Sequence, residues 1–388
     1  MSNKSFVYTF FLLVCLFSLS CEQRKTPLFR YQPPEYNNLQ ILPTKDTIRF
    51  ALDENTYNNI RAFNCFVDKG KEYVSFYDKV SLSVNIYEVS SKRFIKRVSL
   101  KQSLPGRPLE KRTSVYCKNL DSLFVINNIF LYLLDNKGIL RDSVVFDAGP
   151  ILAFPGFDKK KPPVFRGTAL YLGAVPYLST SKKRELRKWE NLYTVDLTTK
   201  KTKLTYPLPD VYMDSIYSSY FIENSYCVND KGRFVFSFAA DTNIYETDLN
   251  DYNMAYYGKS HLQNSAITGI RPGEIKEPDD LLKSYLIRYS YDAIYYDLFN
   301  KRYLRIAEQK ISDEDYRSNN RDKNKSVIIF NDAFKIVGET NIDSTLSWNT
   351  VFFTKNGDCY VRTNANDEQA INFVRMEYIE GTRKLSRK

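Results

Sequence analysis

One histidine, His261, in 388 residues removes more chemistry than any other feature of the chain. A Ser-His-Asp or Cys-His centre would have to be built on it, inside the polar stretch from Lys259 to Asn264. No Gly-x-Ser-x-Gly elbow is present to carry a nucleophile. Zinc and copper sites that take several imidazoles are excluded on the same ground. Glycine is scarce too, at 14 residues, and none of it forms a phosphate-cradling loop. No Cys-x-x-Cys spacing occurs, which disfavours a zinc knuckle or a thioredoxin-type centre. Neither a cofactor nor a metal is expected. No apolar run reaches the roughly 20 residues of a membrane-crossing helix, since Phe6 to Phe17 gives about twelve.

What is present begins at the start of the chain. Lys4 supplies a positive charge, Phe6 to Phe17 an apolar core, and Ser18 and Ser20 small side chains before Cys21, after which the sequence turns polar. This is the order of an export signal, read as residues 1–20. A cysteine directly after the cut is what lipoprotein processing needs, because its thiolate accepts a diacylglyceryl group and its freed amine a third acyl chain. Cys21 is therefore read as a lipid anchor. Residues 21–38, with Arg24, Lys25, Pro27, Pro33 and Pro34, are read as a tether to the folded domain. The usual lipobox has Leu three places before the cysteine and a small residue two places before; here those are Ser18 and Leu19. Ordinary signal-peptidase cleavage, leaving a secreted chain without lipid, is the alternative. Each buried CH₂ contributes about 0.8 kcal/mol, so two or three acyl chains would hold the protein on the membrane. The expected location is the cell envelope, as an outer-membrane lipoprotein on the periplasmic face or the cell surface. The lack of an acidic run in Glu22 to Lys25 tilts this toward the periplasmic face.

Thirty tyrosines and 26 phenylalanines against 4 methionines favour pleated, half-buried surfaces and hence a mostly β protein. A net charge of +11 invites a nucleic-acid reading, but an exported chain meets no genome, and no nucleic-acid partner is expected. Lipid headgroups or acidic glycans suit the charge better. The basic runs Lys159 to Lys161, Lys182 to Lys188, Arg321 to Lys325 and Arg383 to Lys388 read as solvated loops or tail. Beyond Cys21 the cysteines are Cys65, Cys117, Cys227 and Cys359, far apart, and buried thiols are favoured over one incidental disulfide.

From Leu39 onward short apolar runs alternate with turn signals, so 39–388 is read as one domain of antiparallel strands. Three hairpins stand out. Asp135-Asn136-Lys137-Gly138 separates Leu123 to Leu134 from Ile139 to Phe146, and Asn229-Asp230-Lys231-Gly232 separates Phe221 to Val228 from Arg233 to Phe238. Lys355-Asn356-Gly357-Asp358 carries the Asn-Gly pair of a tight turn. A weak repeat runs through Asn85-Ile86-Tyr87, Leu131-Tyr132, Leu192-Tyr193, Ile244-Tyr245 and Ile294-Tyr295, each leading into a polar turn and a second strand. Its interval of roughly 45 to 60 residues in an all-β pattern is the signature of propeller blades. The fold is thus read as an all-β propeller, six blades with seven as the alternative, with short helical insertions at Lys182 to Trp189 and Pro278 to Tyr289. In the latter, Leu281, Leu282, Tyr285 and Leu286 recur at helical spacing. Thr47 to Leu52 is expected to close the ring beside Ile371 to Tyr378.

The stretches Phe234 to Phe238, Asn243-Ile244-Tyr245, Ile294 to Arg305, Ser326 to Phe330 and Phe334 to Glu339 together resemble a family of Bacteroidota lipoproteins, the domain of unknown function numbered 4221. The resemblance covers nearly all of the mature chain, which departs from it in having Leu304 where an aromatic is expected. It implies a propeller-like fold and an envelope location. It brings no assigned activity, so no catalytic residue is carried over.

Two oxygen-rich loops are candidates for calcium: Asp248, Asn250, Asp251 and Asn253, and Asn364, Asn366, Asp367 and Glu368. Neither has the acidic 1,3,5 spacing followed by Gly, and Asx turns account for both. Carboxylate groups at Asp210 with Asp214, at Glu277 with Asp279 and Asp280, and at Asp313 with Glu314 and Asp315 have almost no specificity. Arg288, Tyr289, Arg302 and Arg305 mix rings for stacking with guanidinium forks for an acid or phosphate, and are the candidate binding residues. The reading is a monomeric, lipid-anchored envelope propeller that binds a protein, peptide or glycan, and it leans against an enzyme. The alternative is a carboxylate-dependent hydrolase or lyase acting on envelope glycan or peptide at the channel mouth.

Overall fold

The computed structural model describes residues 26–381 apart from 59, 102–103, 105–108, 110–112, 147–152, 177–185, 215–216, 272 and 364–366. The export signal, Cys21, the start of the 182–189 insertion, the 383–388 basic run, Asn364 and Asn366 lie outside the described residues. Aromatic and β-branched runs become strands wherever a turn residue can reverse the chain. After β1 (Leu28–Arg30) and the long β2 (Leu39–Ala51), four-stranded antiparallel sheets follow one another. The first is β3 to β6 (Ile60–Asp68, Lys71–Asp78, Ser83–Glu88, Phe94–Ser99) and the second β7 to β10 (Ser114–Asn119, Ser122–Asn127, Phe130–Leu134, Leu140–Val145). In the third, β11 (Ala153–Gly156) and β12 (Val164–Arg166) both pair with β13 (Ala169–Pro176), which continues to β14 (Glu190–Asp196) and β15 (Thr202–Pro207). The fourth is β16 to β19 (Asn224–Val228, Phe234–Phe238, Asn243–Thr247, Asn253–Tyr257).

The remaining strands form one eight-stranded sheet. It is two antiparallel runs, β20 to β23 (Ser290–Asp297, Arg302–Glu308, Lys325–Phe330, Ile336–Asn341) and β24 to β26 (Leu346–Phe353, Cys359–Thr363, Ala370–Glu380) with β2. A single parallel contact, Leu39 with Gly338, joins them. As the sequence indicated, Ile48 lies opposite Phe373 and Phe50 opposite Ile371, so the first long strand completes the last sheet.

The cores lie between neighbouring sheets. Val84 and Ile86 of the first meet Val115 and Val125 of the second. Ile126, Leu172, Leu192 and Phe236 share one cluster across the second, third and fourth. Val235 and Ile244 meet Ile294 and Ile328, and Leu304 and Ile306 meet Val361 and Val374. Phe50, Phe352 and Phe373 then pack on Val74 and Phe76, returning to the first sheet. Each sheet buries both faces against neighbours, the packing of a β-propeller.

The turns explain the repeat. The aspartate ending the copies at Asp135, Asp196, Asp248 and Asp297 accepts the amide of Lys137, Thr198, Asn250 and Phe299 respectively, capping the reversal. Tyr87, Tyr132, Tyr193 and Tyr245 lie on the third strand of their sheets, but Tyr295 lies on a first strand, so the fifth copy is out of phase. The run from Leu123 to Leu134 is two strands, because Asn128 adopts a left-handed φ of 61° and turns the chain. The four cysteines Cys65, Cys117, Cys227 and Cys359 are free thiols. The helix Pro278–Leu286 forms where its spacing indicated. Residues read as tether are docked instead: β1 pairs parallel with β19, and the Tyr36 hydroxyl donates to the carbonyl of Lys259 at 2.8 Å, covering an edge that would otherwise be open. Among the described residues no helix is long and apolar enough to cross a membrane.

Candidate functional site

The first strand of each sheet faces a central channel. Residues of β3, β7, β16, β20 and β24, with β11 and β12 from the third sheet, line two cavities along it, of about 460 and about 1050 Å³. The third sheet's inner strand is broken, and the intervening residues 157–163 fold into the channel, so that Phe157, Asp158 and Lys159 contribute to both cavities.

This loop is tied down from several sides. The Asp158 carboxylate accepts the amides of Lys160 and Lys161 at 2.8 and 2.9 Å, which forces a tight reversal. The carbonyl of Lys160 accepts from the amide of Tyr226 at 2.9 Å and from the Ser225 hydroxyl at 2.8 Å, pinning the loop to the fourth sheet. The Lys160 ammonium pairs with Asp292 of the fifth sheet. Lys161 is buried, and its ammonium reaches Glu223 at 2.8 Å. Its stem passes Gly173, where an added Cβ would come within 2.8 Å of its Cδ.

The electrostatics of the three lysines differ accordingly. Burial opposes charge on Lys160 and on Lys161, but the carboxylates of Asp292 and Glu223 overcome it and hold both ammonium groups above their usual range. Burial pushes the Lys159 ammonium down. Lys159 makes no hydrogen bond or ion pair among the described residues. The run therefore departs from the solvated loop expected of it: it enters the channel between the two cavities, because Phe157 is anchored in the core and Pro162 and Pro163 carry the chain back to β12. Three lysines set between Phe157 and a proline pair were the signal available in the sequence.

The residues singled out for binding do not assemble into a site. Arg305 is fully buried. Its guanidinium donates to Ser237 Oγ at 2.9 Å and to the carbonyls of Thr242, Gly258, Phe238 and Asp241, while lying 3.6 Å from the Tyr291 ring centre. Burial lowers its pKa to about 10. It joins the fourth and fifth sheets and has no donor left for a ligand. Arg288 donates to the carbonyls of Thr268, Ser284 and Gly269 and pairs with Glu274 at 2.8 Å. Tyr289 is buried with its hydroxyl on Asn264, and Arg302 lies over the Tyr378 ring at 4.5 Å. Arg302 and Arg305 lie on a strand, and propeller strands are covered on both faces, whereas Arg288 and Tyr289 precede β20 and are held by loop partners, so the four share no site.

Some of the acidic groups serve as helix caps. Asp280 caps the helix Pro278–Leu286, and Asp315 closes a capping box with Ser312 on the helix Asp313–Arg317. Hydrogen bonds from the Glu277 and Lys276 amides hold Asp280 below the ordinary carboxylate range. Asp248 accepts the amides of Asn250 and Tyr252 in a turn. His261 Nδ1 lies 2.7 Å from the buried carboxylate of Glu339, which also takes the amide of His261. Among the described residues no group of three or more His, Cys, Asp or Glu side chains is placed to hold a metal ion.

The family described as a domain of unknown function (DUF4221) matches residues 38–341. A crystal structure of a DUF4221 family member from Bacteroides vulgatus is similar over 89% of this chain and 100% of its own, at 20% identity and a TM-score of 0.73. A protein described as exported, from Bacteroides fragilis, is similar over 92% of this chain and 100% of its own, at 8% identity and a TM-score of 0.55. A β-propeller domain from Myceliophteria thermophila aligns over 87% of this chain and 90% of its own, at 11% identity and a TM-score of 0.42. Among curated proteins nothing matches.

Proposed function

The chain belongs to the DUF4221 family, and from that premise we propose that it is a lipid-anchored protein of the cell envelope, a six-bladed propeller that binds a ligand in the wider end of its central channel. The cavity of about 1050 Å³ carries this reading. It matches the upper range of ligand sites, its walls come from rigid inner strands, and the chain's own loop closes its base. Among the described residues its acidic lining is Asp158 and Glu223, the first capping its own loop and the second paired with Lys161, so these do not offer a pair of free carboxylates for hydrolysis. The blade count rests on the six four-stranded runs and the closed circuit of cores between them. The anchor rests on Cys21 after its apolar run.

Binding is tested by thermal melting against a panel of envelope glycans and peptides, using the chain and Asn349→Trp, which puts an indole into the cavity from an exposed position on its wall. A ligand that raises the melting temperature of the chain but not of Asn349→Trp is expected. A shift of equal size in both locates binding elsewhere and defeats the reading. Anchoring is tested by labelling with an alkyne fatty acid: the wild type should take the label and sediment with membranes, and Cys21→Ala should do neither.

A further inference from the structure

The channel holds more positive charge than the fold consumes. Lys160 is neutralised by Asp292 and Lys161 by Glu223. Lys159, half-buried between the two cavities, forms no ion pair or hydrogen bond among the described residues, and neither do Arg61 and Lys79, both exposed on the wall of the wider cavity. With the internal pairs cancelled, Lys159, Arg61 and Lys79 face Asp158 as the one carboxylate left in the lining among the described residues. Lys159 carries its charge into both cavities without an ion pair among the described residues that would stabilise the fold. It would acquire a partner only from outside. A cleft lined by one sign of charge with low-polarity walls also concentrates counter-ions.

Resting on the cavity reading above, we infer that the channel receives a small molecule carrying two or more acidic groups, the innermost seated on Lys159 and the outer ones met by Arg61 and Lys79. The wider cavity has room for a body of a few rings, and half-buried Phe154 gives such a body an apolar wall. Lysine suits the inner position because its ammonium is a compact charge on a flexible stem, whereas Arg61 at the rim presents a fork to a planar carboxylate.

Calorimetric titration with trigalacturonate, citrate and the uncharged galactotriose tests this. Both or either of the two acids should bind saturably, at least tenfold more tightly than galactotriose, and more weakly as salt is raised. Citrate alone would identify a free polycarboxylate as the ligand, and trigalacturonate alone an acidic saccharide. Lys159→Met should lose at least tenfold in affinity. Arg61→Gln with Lys79→Gln, an exposed pair outside the core, should lose severalfold and flatten the salt dependence. Equal affinity for galactotriose and trigalacturonate, abolished by Asn349→Trp, would overturn the charge inference while leaving the cavity reading intact. Acid binding that Lys159→Met leaves unchanged, or the absence of saturable binding by either acid, would overturn it as well.

Discussion

At the scale of single residues, the fold spends its charges internally. Glu308 is 6% exposed, and its carboxylate meets Lys325 at 2.7 Å, Ser290 Oγ at 2.8 Å, the Tyr285 hydroxyl, and Lys323 at 3.5 Å. Burial alone would raise its pKa, but the two ammonium groups reverse this and hold it well below the carboxylate range. A carboxyl that is more acidic folded than unfolded contributes stability above its unfolded value, near 4.3, and loses it as pH falls below that point, because the unfolded chain takes the proton first. Glu308→Gln should therefore cost about 3 kcal/mol in urea unfolding at pH 7, by stranding buried cations. The gap to wild type should be narrower at pH 3; an unchanged gap would show that the carboxylate is not the linked group. Arg305 shows why such residues were hard to read in advance. Its strand neighbours signal an alternating surface, and nothing local reveals that Ser237 and the carbonyls of Thr242 and Asp241 converge on it from another sheet.

At the scale of elements, turn chemistry was legible and interruption was not. The hairpins at Asp135 to Gly138, Asn229 to Gly232 and Lys355 to Asp358 form, with Gly138, Gly232 and Gly357 at positive φ, but Asn356 does not share the positive φ expected of an Asn-Gly pair, and Phe221 and Ile222 are helical, the strand starting at Asn224. The turn at Asn128 was missed because only Asn127-Asn128 interrupts the apolar run from Leu123 to Leu134, with no glycine or proline to mark it. The break between β11 and β12 was missed because a lysine run reads as solvated when the anions that receive it, Asp292 and Glu223, come from distant segments. The fit of this loop is tight enough to test. Gly173→Ala would place its Cβ 2.8 Å from Lys161 Cδ and 3.3 Å from the carbonyl oxygen of Gly156. It should cost about 1–3 kcal/mol. Made in a Lys161→Ala background, the same substitution should cost less, and the double-mutant cycle measures how much of the strain is the lysine stem. Equal costs in the two backgrounds would place the strain at Gly156.

Across the whole molecule, each sheet depends on two neighbours, so the ring is expected to unfold as one unit. Phe50 is 1% exposed and packs on Phe373 of the last sheet and Tyr87 of the first. Phe50→Ala should cost about 3–5 kcal/mol. The loss should appear at the same urea midpoint in far-ultraviolet dichroism and in aromatic fluorescence; separated midpoints would mean that sheets melt individually. Ring closure was legible from Thr47 to Leu52 and Ile371 to Tyr378, since two unpaired strand signals at opposite ends have few other places to go. The phase of the repeat was not, because Tyr295 has the same local sequence as its counterparts on a different strand of its sheet. The pairing of β2 with β26 has a bearing on the order of folding. The two strands lie far apart in the sequence, and contacts of such long sequence separation form slowly. A ring built this way closes last, after the hairpins within each sheet have formed. The latch of the ring is its slowest contact, and a chain stopped short of β26 is left with β2 unpaired along most of its length.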